Sequence, residues 1–349
     1  MAKSIVRWSA GEPGKRGVLT GPGQQRRATH MLRYLLLSLL CVAPAMAQTP
    51  WPTRPVRIYV GFPAGTSTDI VARIIANAVS PRIGQPIVVE NRPGASGTIA
   101  ATLAAKAAPD GYSLVVGTPS THATAPHVFL NLPYDPIKDF APVALIGNSY
   151  YVLVVAPQTG VKTVKDLVAL ARSRPGQLNY ASVGEGSLAH LGALIFSEMT
   201  GTQSTHVPYK GSPQSILDIA AGRVQFVFTV ISTAQPLHRD GRVRIIAVAG
   251  PRQPLLPDVP SMAESGYPDY ELHFWFASFM PAATPRGIVS RMNREINASV
   301  KDPKTSRLLV DAAITPEVMT LEELRELMRK DAERFRKIVI KADIKPQPL

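Results

Sequence analysis

Short apolar segments alternate with helical patterns along most of this chain, and that alternation restricts its fold more than any other feature. Strands are predicted at Val56–Val60, Ile87–Glu90 and Ser113–Gly117, with helices at Asp69–Val79 and Thr98–Ala107 between them. A chain that alternates in this way forms a mainly parallel sheet covered by helices. The predicted fold class is therefore α/β.

A second series of the same kind follows the first. Its strands and helices are predicted at Tyr151–Ala156, Val164–Ser173, Asn179–Ser182, Ser187–Thr200, Ser204–Val207, Pro213–Ala221, Gln225–Thr229 and Val243–Ala249. Two series predict two lobes, the first formed by residues 48–148 with 271–349 and the second by residues 149–270. The chain would cross between the lobes near Gly147–Val152 and Leu272–Phe279.

Residues that favour helix starts support several of these boundaries. Thr163 and Asp166 have capping-box spacing. Ser212 followed by Pro213 is typical of an N-cap and a first helical residue. A long helix is predicted over Leu321–Ile340, and its apolar stripe is expected to pack on the first sheet.

The N-terminal region predicts export. Met31 begins a short basic segment, an apolar run follows, and Ala45-Met46-Ala47 has the small residues of a cleavage site. We expect residues 1–47 to be an over-extended start plus a signal peptide, with Met31 the true initiator, cleavage after Ala47 and a periplasmic product. A long basic leader and a twin-arginine signal are the alternatives. The single cysteine, Cys41, lies in this segment, so a mature chain would have no disulfide, thiolate metal site or cysteine nucleophile.

The charge of the chain argues against one class of partner. The net charge is +13, of which residues 1–47, with seven Lys/Arg and one Glu, carry +6. The remaining +7 forms a solvated basic surface or steers anions weakly. No basic cluster is interleaved with aromatic residues, so nucleic-acid binding is not expected. No apolar run is long enough to predict a membrane span.

Four segments share one local arrangement, in which a strand is followed by a turn of small residues and the start of a helix. They are residues 61–69, 91–98, 181–187 and 206–213. Each can present the unpaired N–H groups of a helix N-terminus at the carboxyl end of a strand, where an anion binds without a charged side chain. Ordinary helix capping explains any one turn. Two such turns in each predicted lobe favour a cleft that holds an anion from both sides.

The motifs of common enzyme classes are missing from the sequence. It contains no Gly-x-Ser-x-Gly elbow, no His-Glu-x-x-His pattern and no P-loop. Histidines and carboxylates are scattered without metal-ligand spacing. We therefore expect no catalytic residue, no cofactor and no metal site, with a small-ester hydrolase as the enzyme alternative.

A series of motifs, met in order along the chain, carries a family resemblance. The series is Trp51-Pro52-x-Arg54-Pro55-Val56, Gly61–Gly65, Asp69–Arg73, Gly84–Ala95, Pro109–Leu114, Pro133–Pro136, Ser182-x-Gly184-x-Gly186-Ser187-x-x-His190, His206–Gly211 and Pro257–Ser261. Across essentially the whole mature chain, these residues resemble the substrate-binding receptors of the tripartite tricarboxylate transporter family, also called Bug receptors.

The resemblance implies a two-lobed periplasmic binding protein fold of type II that closes on a small organic carboxylate and delivers it to a two-subunit membrane transporter. Backbone groups of the first two turns would hold one carboxylate, and the second lobe would add contacts. The candidate ligand-binding residues are Phe62, Ala64, Gly65, Thr66, Ser67, Asp69, Gly94, Ala95, Ser96, Gly97, Thr118, Ser120, Ser182, Gly184, Ser187, Pro208, Tyr209 and Thr229. A monomer is expected. A ligand-sensing adaptor for a membrane signalling kinase is the alternative role.

Two departures from the family pattern bear on the ligand. Thr66 stands where the family often has glycine, so its hydroxyl either bonds the ligand or narrows the pocket. No acid occurs in Phe228–Ile231, where amino-acid-binding members tend to carry an aspartate. The ligand is therefore expected to be a di- or tricarboxylate or an aromatic acid without an amino group. Asp69 is expected either to complement the helix dipole or to orient the loop before it.

Overall fold

The computed structural model describes Gly14, residues 51–341 and residues 344–349. The predicted signal peptide, its cleavage after Ala47 and the Met31 start all lie outside the described residues. Within the described ranges, no helix is both long enough and apolar enough to span a membrane.

The first sheet is built from the strands that the sequence predicts. Strands β1 (Val56–Val60), β2 (Ile87–Asn91) and β3 (Ser113–Gly117) are parallel, with β1 in the middle. Helices α1 (Ser67–Ile83) and α2 (Thr98–Ala105) connect them. Because parallel strands all end at one edge, the turns after β1 and β2 lie side by side.

The second sheet repeats this plan. Its parallel strands are β6, β7 and β8, with β6 between the other two, and β9 lies nearby against the long strand β5. The bounds of this half are α3 (Ala125–Val128), β4 (Phe129–Leu130), β5 (Phe140–Val155), α4 (Val164–Ser173), β6 (Asn179–Ser182), α5 (Leu188–Thr200), β7 (Thr205–Pro208), α6 (Ser212–Ala220), β8 (Phe226–Val230), α7 (Ile231–Arg239) and β9 (Arg244–Val248).

One long strand joins the two sheets. In β5, residues 140–150 pair antiparallel with β10 (His273–Pro281), whereas residues 151–155 pair antiparallel with β8 and β9. The α/β class and the two-lobed periplasmic binding fold are therefore confirmed, with a mixed sheet in which antiparallel strands join the parallel outer ones. The residue ranges given above for the two lobes remain a prediction.

The last part of the chain covers the first sheet. It contains α8 (Arg286–Lys301), α9 (Pro303–Asp311), β11 (Thr315–Pro316), α10 (Leu321–Lys341) and β12 (Gln347–Pro348). On α10, the buried Leu324 and Met328 join a core cluster with Trp275 and Phe279, as the apolar stripe predicts. The indole Nε1 of Trp275 donates to the Asp331 carboxylate at 2.6 Å and fixes this helix in place.

Of the two helix N-caps predicted above, the structure contains one and lacks the other. The Thr163–Asp166 capping box is present, with the Thr163 side chain accepting from the Asp166 N–H. The expected Ser212 cap is wrong, because Gly211 is the N-cap and Ser212 is already helical, with its carbonyl accepting from the Ser215 hydroxyl. Helix α7 was not predicted because it follows β8 directly, with no turn residue between them.

Candidate functional site

A cavity of about 270 Å³ lies where the turns of the two sheets face each other. Its walls come from turns after β1, β2, β6 and β7, together with β4 and the segment around β12. The residues that line it are Gly61, Phe62, Gly94, Ala95, Ser96, Gly97, Phe129, Val183, Gly184, Glu185, Tyr209, Lys210, Pro348 and Leu349. Larger cavities lie between helices, but this one lies at the carboxyl ends of the parallel strands, where ligands of α/β folds bind.

The turn after β2 has an unusual backbone. Four consecutive residues have positive φ, namely Gly94 at 134°, Ala95 at 44°, Ser96 at 54° and Gly97 at 93°. Ala95 and Ser96 carry side chains in this conformation, which costs roughly 1–3 kcal/mol per residue and is found mainly at functional sites. All four residues of this turn line the cavity.

The turn after β1 packs directly on that strained turn. A Cβ atom on Gly61 would lie 2.5 Å from the Gly97 Cα and 2.6 Å from the Gly97 carbonyl oxygen. Only glycine allows the two main chains to approach this closely. Together, these two turns form one wall of the cavity.

Asp69 holds the first turn in shape. Its buried carboxylate accepts from the Gly65 N–H at 3.0 Å and the Asn91 side-chain amide at 2.9 Å, and it pairs with Arg73 at 2.9 Å. Burial acts to raise the pKa of Asp69, but the hydrogen bonds from Arg73, Gly65 and Asn91 outweigh it and lower that pKa. Asp69 does not line the cavity, so the loop-orienting role is the one that its contacts support.

Hydrogen bonds between side chains hold the turn after β6. The His206 Nε2 lies 2.6 Å from the Ser182 hydroxyl, and the His206 Nδ1 lies 3.0 Å from a carboxylate oxygen of Glu185. This order of serine, histidine and acid resembles a catalytic relay. However, Ser182 has no exposed surface and its hydroxyl also accepts from the Gly184 N–H, so it presents no accessible nucleophile. The contacts therefore support a structural role.

His190 completes this cluster. Its Nδ1 accepts from the Gly186 N–H at 3.1 Å and lies 3.5 Å from the Glu185 carboxylate. Burial, with His206 beside it, lowers the pKa of His190 to about 4, and burial also lowers the pKa of His206. The ring planes of His190 and His206 are stacked within 18° of parallel. The nitrogen lone pairs of the two rings lie in these planes, so they do not converge well on one cation. The spacing of Glu185, His190 and His206 in the sequence does not predict that these three residues meet.

Hydrogen bonds join the two halves of the cavity wall. The Ser96 hydroxyl donates to the Glu185 carbonyl at 2.6 Å, and the Thr124 hydroxyl donates to the Gly186 carbonyl at 2.8 Å. The Leu188 N–H donates to the Ser120 hydroxyl at 3.3 Å. The turns after β2 and β6 are thus held against each other.

The structure brings only some of the predicted ligand-binding residues to the cavity. Seven of them line it, namely Phe62, Gly94, Ala95, Ser96, Gly97, Gly184 and Tyr209. The remaining predicted residues do not line it: Ala64, Gly65, Thr66, Ser67, Asp69, Thr118, Ser120, Ser182, Ser187, Pro208 and Thr229. Thr66 and Ser187 instead cap helices α1 and α5, Thr229 is buried in β8, and Thr118 is buried beside a π-helix at Ser120–Thr124.

Several lining residues were missed by sequence reasoning. Glu185 and Val183 lie inside a predicted turn, and Gly61 and Lys210 lie in two others, so a broader reading of those turns would have included them. Phe129, Pro348 and Leu349 could not be predicted, because they are far from every predicted turn in sequence.

Tyr209 is anchored by its hydroxyl, which donates to Asp218 at 2.7 Å. Burial and Asp218 raise the pKa of Tyr209 to about 12.

Comparison with known proteins gives consistent matches over almost all of the described chain. Residues 71–344 match the model of a family described as the tripartite tricarboxylate transporter family receptor. Protein BugT of Bordetella pertussis is 33% identical over 299 residues, which cover 85% of this chain and 91% of BugT. The solved structure described as R. palustris Rpa4515 with adipate is 36% identical, with a TM-score of 0.82, and the match covers 85% of this chain and 100% of that one. MatC from Rhodopseudomonas palustris, with bound malate, is 32% identical with a TM-score of 0.79, covering 83% of this chain and 100% of MatC.

Proposed function

The chain belongs to the receptors of the tripartite tricarboxylate transporter family, which are periplasmic solute-binding proteins, and from that membership we propose that its cavity captures a small organic carboxylate. The observation that carries this proposal is the position of the cavity at the carboxyl ends of two sets of parallel strands, walled by turns of small residues. Main-chain N–H groups at such turns bind anions. Similar proteins hold adipate and malate.

The charged side chains of the cavity bear on whether the ligand carries an amino group. Among the side chains of its described lining residues, Lys210 is the only base and Glu185 the only acid. The Glu185 carboxylate already accepts a hydrogen bond from His206. A ligand ammonium group would have to compete with His206 for that carboxylate. We therefore infer that the ligand lacks an amino group.

The ligand can be identified by thermal unfolding of the protein with a panel of acids. Adipate, malate, succinate, citrate and benzoate should be compared with aspartate, glutamate and neutral sugars. A ligand at 100 times its dissociation constant adds about 2.7 kcal/mol of stability, a shift of several degrees. We expect a shift with at least one carboxylate and none with sugars. A shift with aspartate or glutamate alone would contradict the inference that the ligand has no amino group, and shifts with sugars alone would contradict the carboxylate site.

Closure around the ligand is the mechanism we infer. The bonds from Ser96 and Thr124 to the Glu185 and Gly186 carbonyls close the cavity wall on one side, and a ligand touching turns from both sheets would favour that arrangement. Small-angle scattering should show a smaller radius of gyration at saturating ligand. The Ser96→Ala variant, which lacks one of these bonds, should need more ligand for the same compaction. An unchanged radius in the saturated protein would count against closure.

Delivery to a two-subunit membrane transporter is the role we infer for the closed protein. The support is family membership, since receptors of this family are named for such transporters. No enzymatic step is needed, because closure requires no covalent chemistry. A monomer is sufficient for this role.

A further inference from the structure

A segment remote in sequence forms part of the cavity wall. Strand β12 pairs in parallel with β4, with Gln347 opposite Phe129 and Pro348 opposite Leu130. Phe129, Pro348 and the next residue, Leu349, all line the cavity. The two strands thus form a second part of the cavity wall, in addition to the turns.

This wall differs in chemistry from the turns. The turns contribute glycine, small side chains and main-chain groups, whereas the wall contributes Phe129, Pro348 and Leu349. Phe62 and Val183 extend the apolar surface. A carboxylate pressed against such a surface loses hydration without gaining a partner, which is costly. The cavity lining therefore combines main-chain groups suited to an anion with apolar side chains suited to a carbon chain.

Leu349 has exposed apolar surface that a bound ligand could cover. Its side chain is 49% exposed at the edge of the cavity. A ligand carbon chain placed against it would remove apolar surface from water, which is favourable in proportion to the area covered. A polar ligand of the same size would gain nothing there.

We propose that the segment Gln347–Leu349, held by β4, determines specificity by packing against the carbon chain of the bound acid. This rests on the proposed function and narrows its substrate class. The site selects acids in which an extended aliphatic or aromatic segment adjoins a carboxylate, such as adipate, over compact tricarboxylates. A tricarboxylate would bring three charges to a cavity whose described lining has one lysine.

The test is titration calorimetry of the full chain with adipate, succinate and citrate, using a matched pair of variants. Leu349→Ser changes a lining residue, and Leu130→Ser changes a leucine that is 48% exposed on the paired strand but does not line the cavity. We expect Leu349→Ser to weaken adipate binding by about 5–10-fold, the effect of uncovering part of one leucine. Citrate binding should change less, and Leu130→Ser should bind adipate like the parent protein. A chain stopped after Pro346 should lose most of its preference for adipate over succinate.

The outcomes distinguish failure of the specificity role of Gln347–Leu349 from failure of the proposed carboxylate-binding function. If the parent protein binds adipate and both variants and the shortened chain bind it equally well, the wall has no role in specificity while the carboxylate site stands. Tighter binding of citrate than of adipate by the parent would overturn the inference in the same way. If the parent binds none of the panel acids used for thermal unfolding, the proposed function itself fails. Circular dichroism of each variant shows whether lost binding reflects lost folding.

Discussion

The free energy of unfolding should fall between pH 8 and pH 5, and two buried histidines that stay neutral in the folded protein should contribute about 4 kcal/mol of that decrease. One is His122, which has no exposed surface and stacks on Phe279 with ring centroids 4.0 Å apart. Its Nδ1 lies 2.8 Å from the Thr121 hydroxyl. Burial lowers the pKa of His122 to about 3. The other is His190, whose pKa is lowered to about 4.

The sign follows from proton uptake. In the unfolded chain both histidines protonate near pH 6.5, whereas in the folded protein they do so only near pH 3 and pH 4. The unfolded state therefore binds more protons below pH 6.5, so stability is complete above that pH and falls as the pH decreases toward the folded values. At pH 5, 1.5 pH units below the unfolded pKa, each residue costs about 2 kcal/mol. Asp331 opposes this trend, since burial raises the pKa of its carboxyl group.

Denaturant titrations at half-unit steps from pH 8 to pH 5 measure this slope directly. His122→Asn should reduce the decrease between pH 8 and pH 5 by about 2 kcal/mol, whatever its effect on stability at pH 8, because it removes the contribution of one buried histidine. His238→Gln, which changes a histidine on α7, controls for the loss of a histidine elsewhere. A wild-type slope retained in His122→Asn would show that His122 does not titrate in the way its burial implies.

Gly61→Ala should destabilise the protein by roughly 2–3 kcal/mol and weaken carboxylate binding at least tenfold. The added Cβ would lie 2.5 Å from the Gly97 Cα and 2.6 Å from the Gly97 carbonyl oxygen, and both of these Gly97 atoms belong to main chain that cannot rotate away. One of the two turns must then move. Because the Gly94–Gly97 turn already has four residues with positive φ, its movement would change the wall that faces the ligand.

Gly287→Ala is the matched control for that variant. Gly287 lies near the start of α8, and a Cβ there would meet nothing within 4 Å. Alanine is favoured over glycine in a helix, so this variant should be as stable as the parent or slightly more stable. Chemical unfolding gives the stability of each variant, and calorimetry with adipate gives its affinity. Equal stability of Gly61→Ala and the parent would mean that the two turns do not pack as described.

Local sequence was sufficient to place most secondary structure and the four turns. Strands β1, β3 and β6 and helix α4 begin and end where their apolar patterns predict, because alternation and helical spacing are local properties. The first half of β5 was missed because Pro142, Gly147 and Asn148 interrupt its pattern, although almost all of the strand is buried. Burial from both sides, which no local pattern reports, overrides those residues.

The sequence by itself determined the α/β class, the family and the turns of small residues after the strands, since each depends on short runs of residues. The tertiary structure alone decided which residues line the cavity. It made Thr66 and Ser187 helix caps. It also placed Phe129 opposite Gln347, a residue far away along the chain, through the pairing of β4 with β12. The physical reason is that a turn is specified by the φ angles its own residues allow, whereas a cavity wall depends on contacts between segments that share no local pattern.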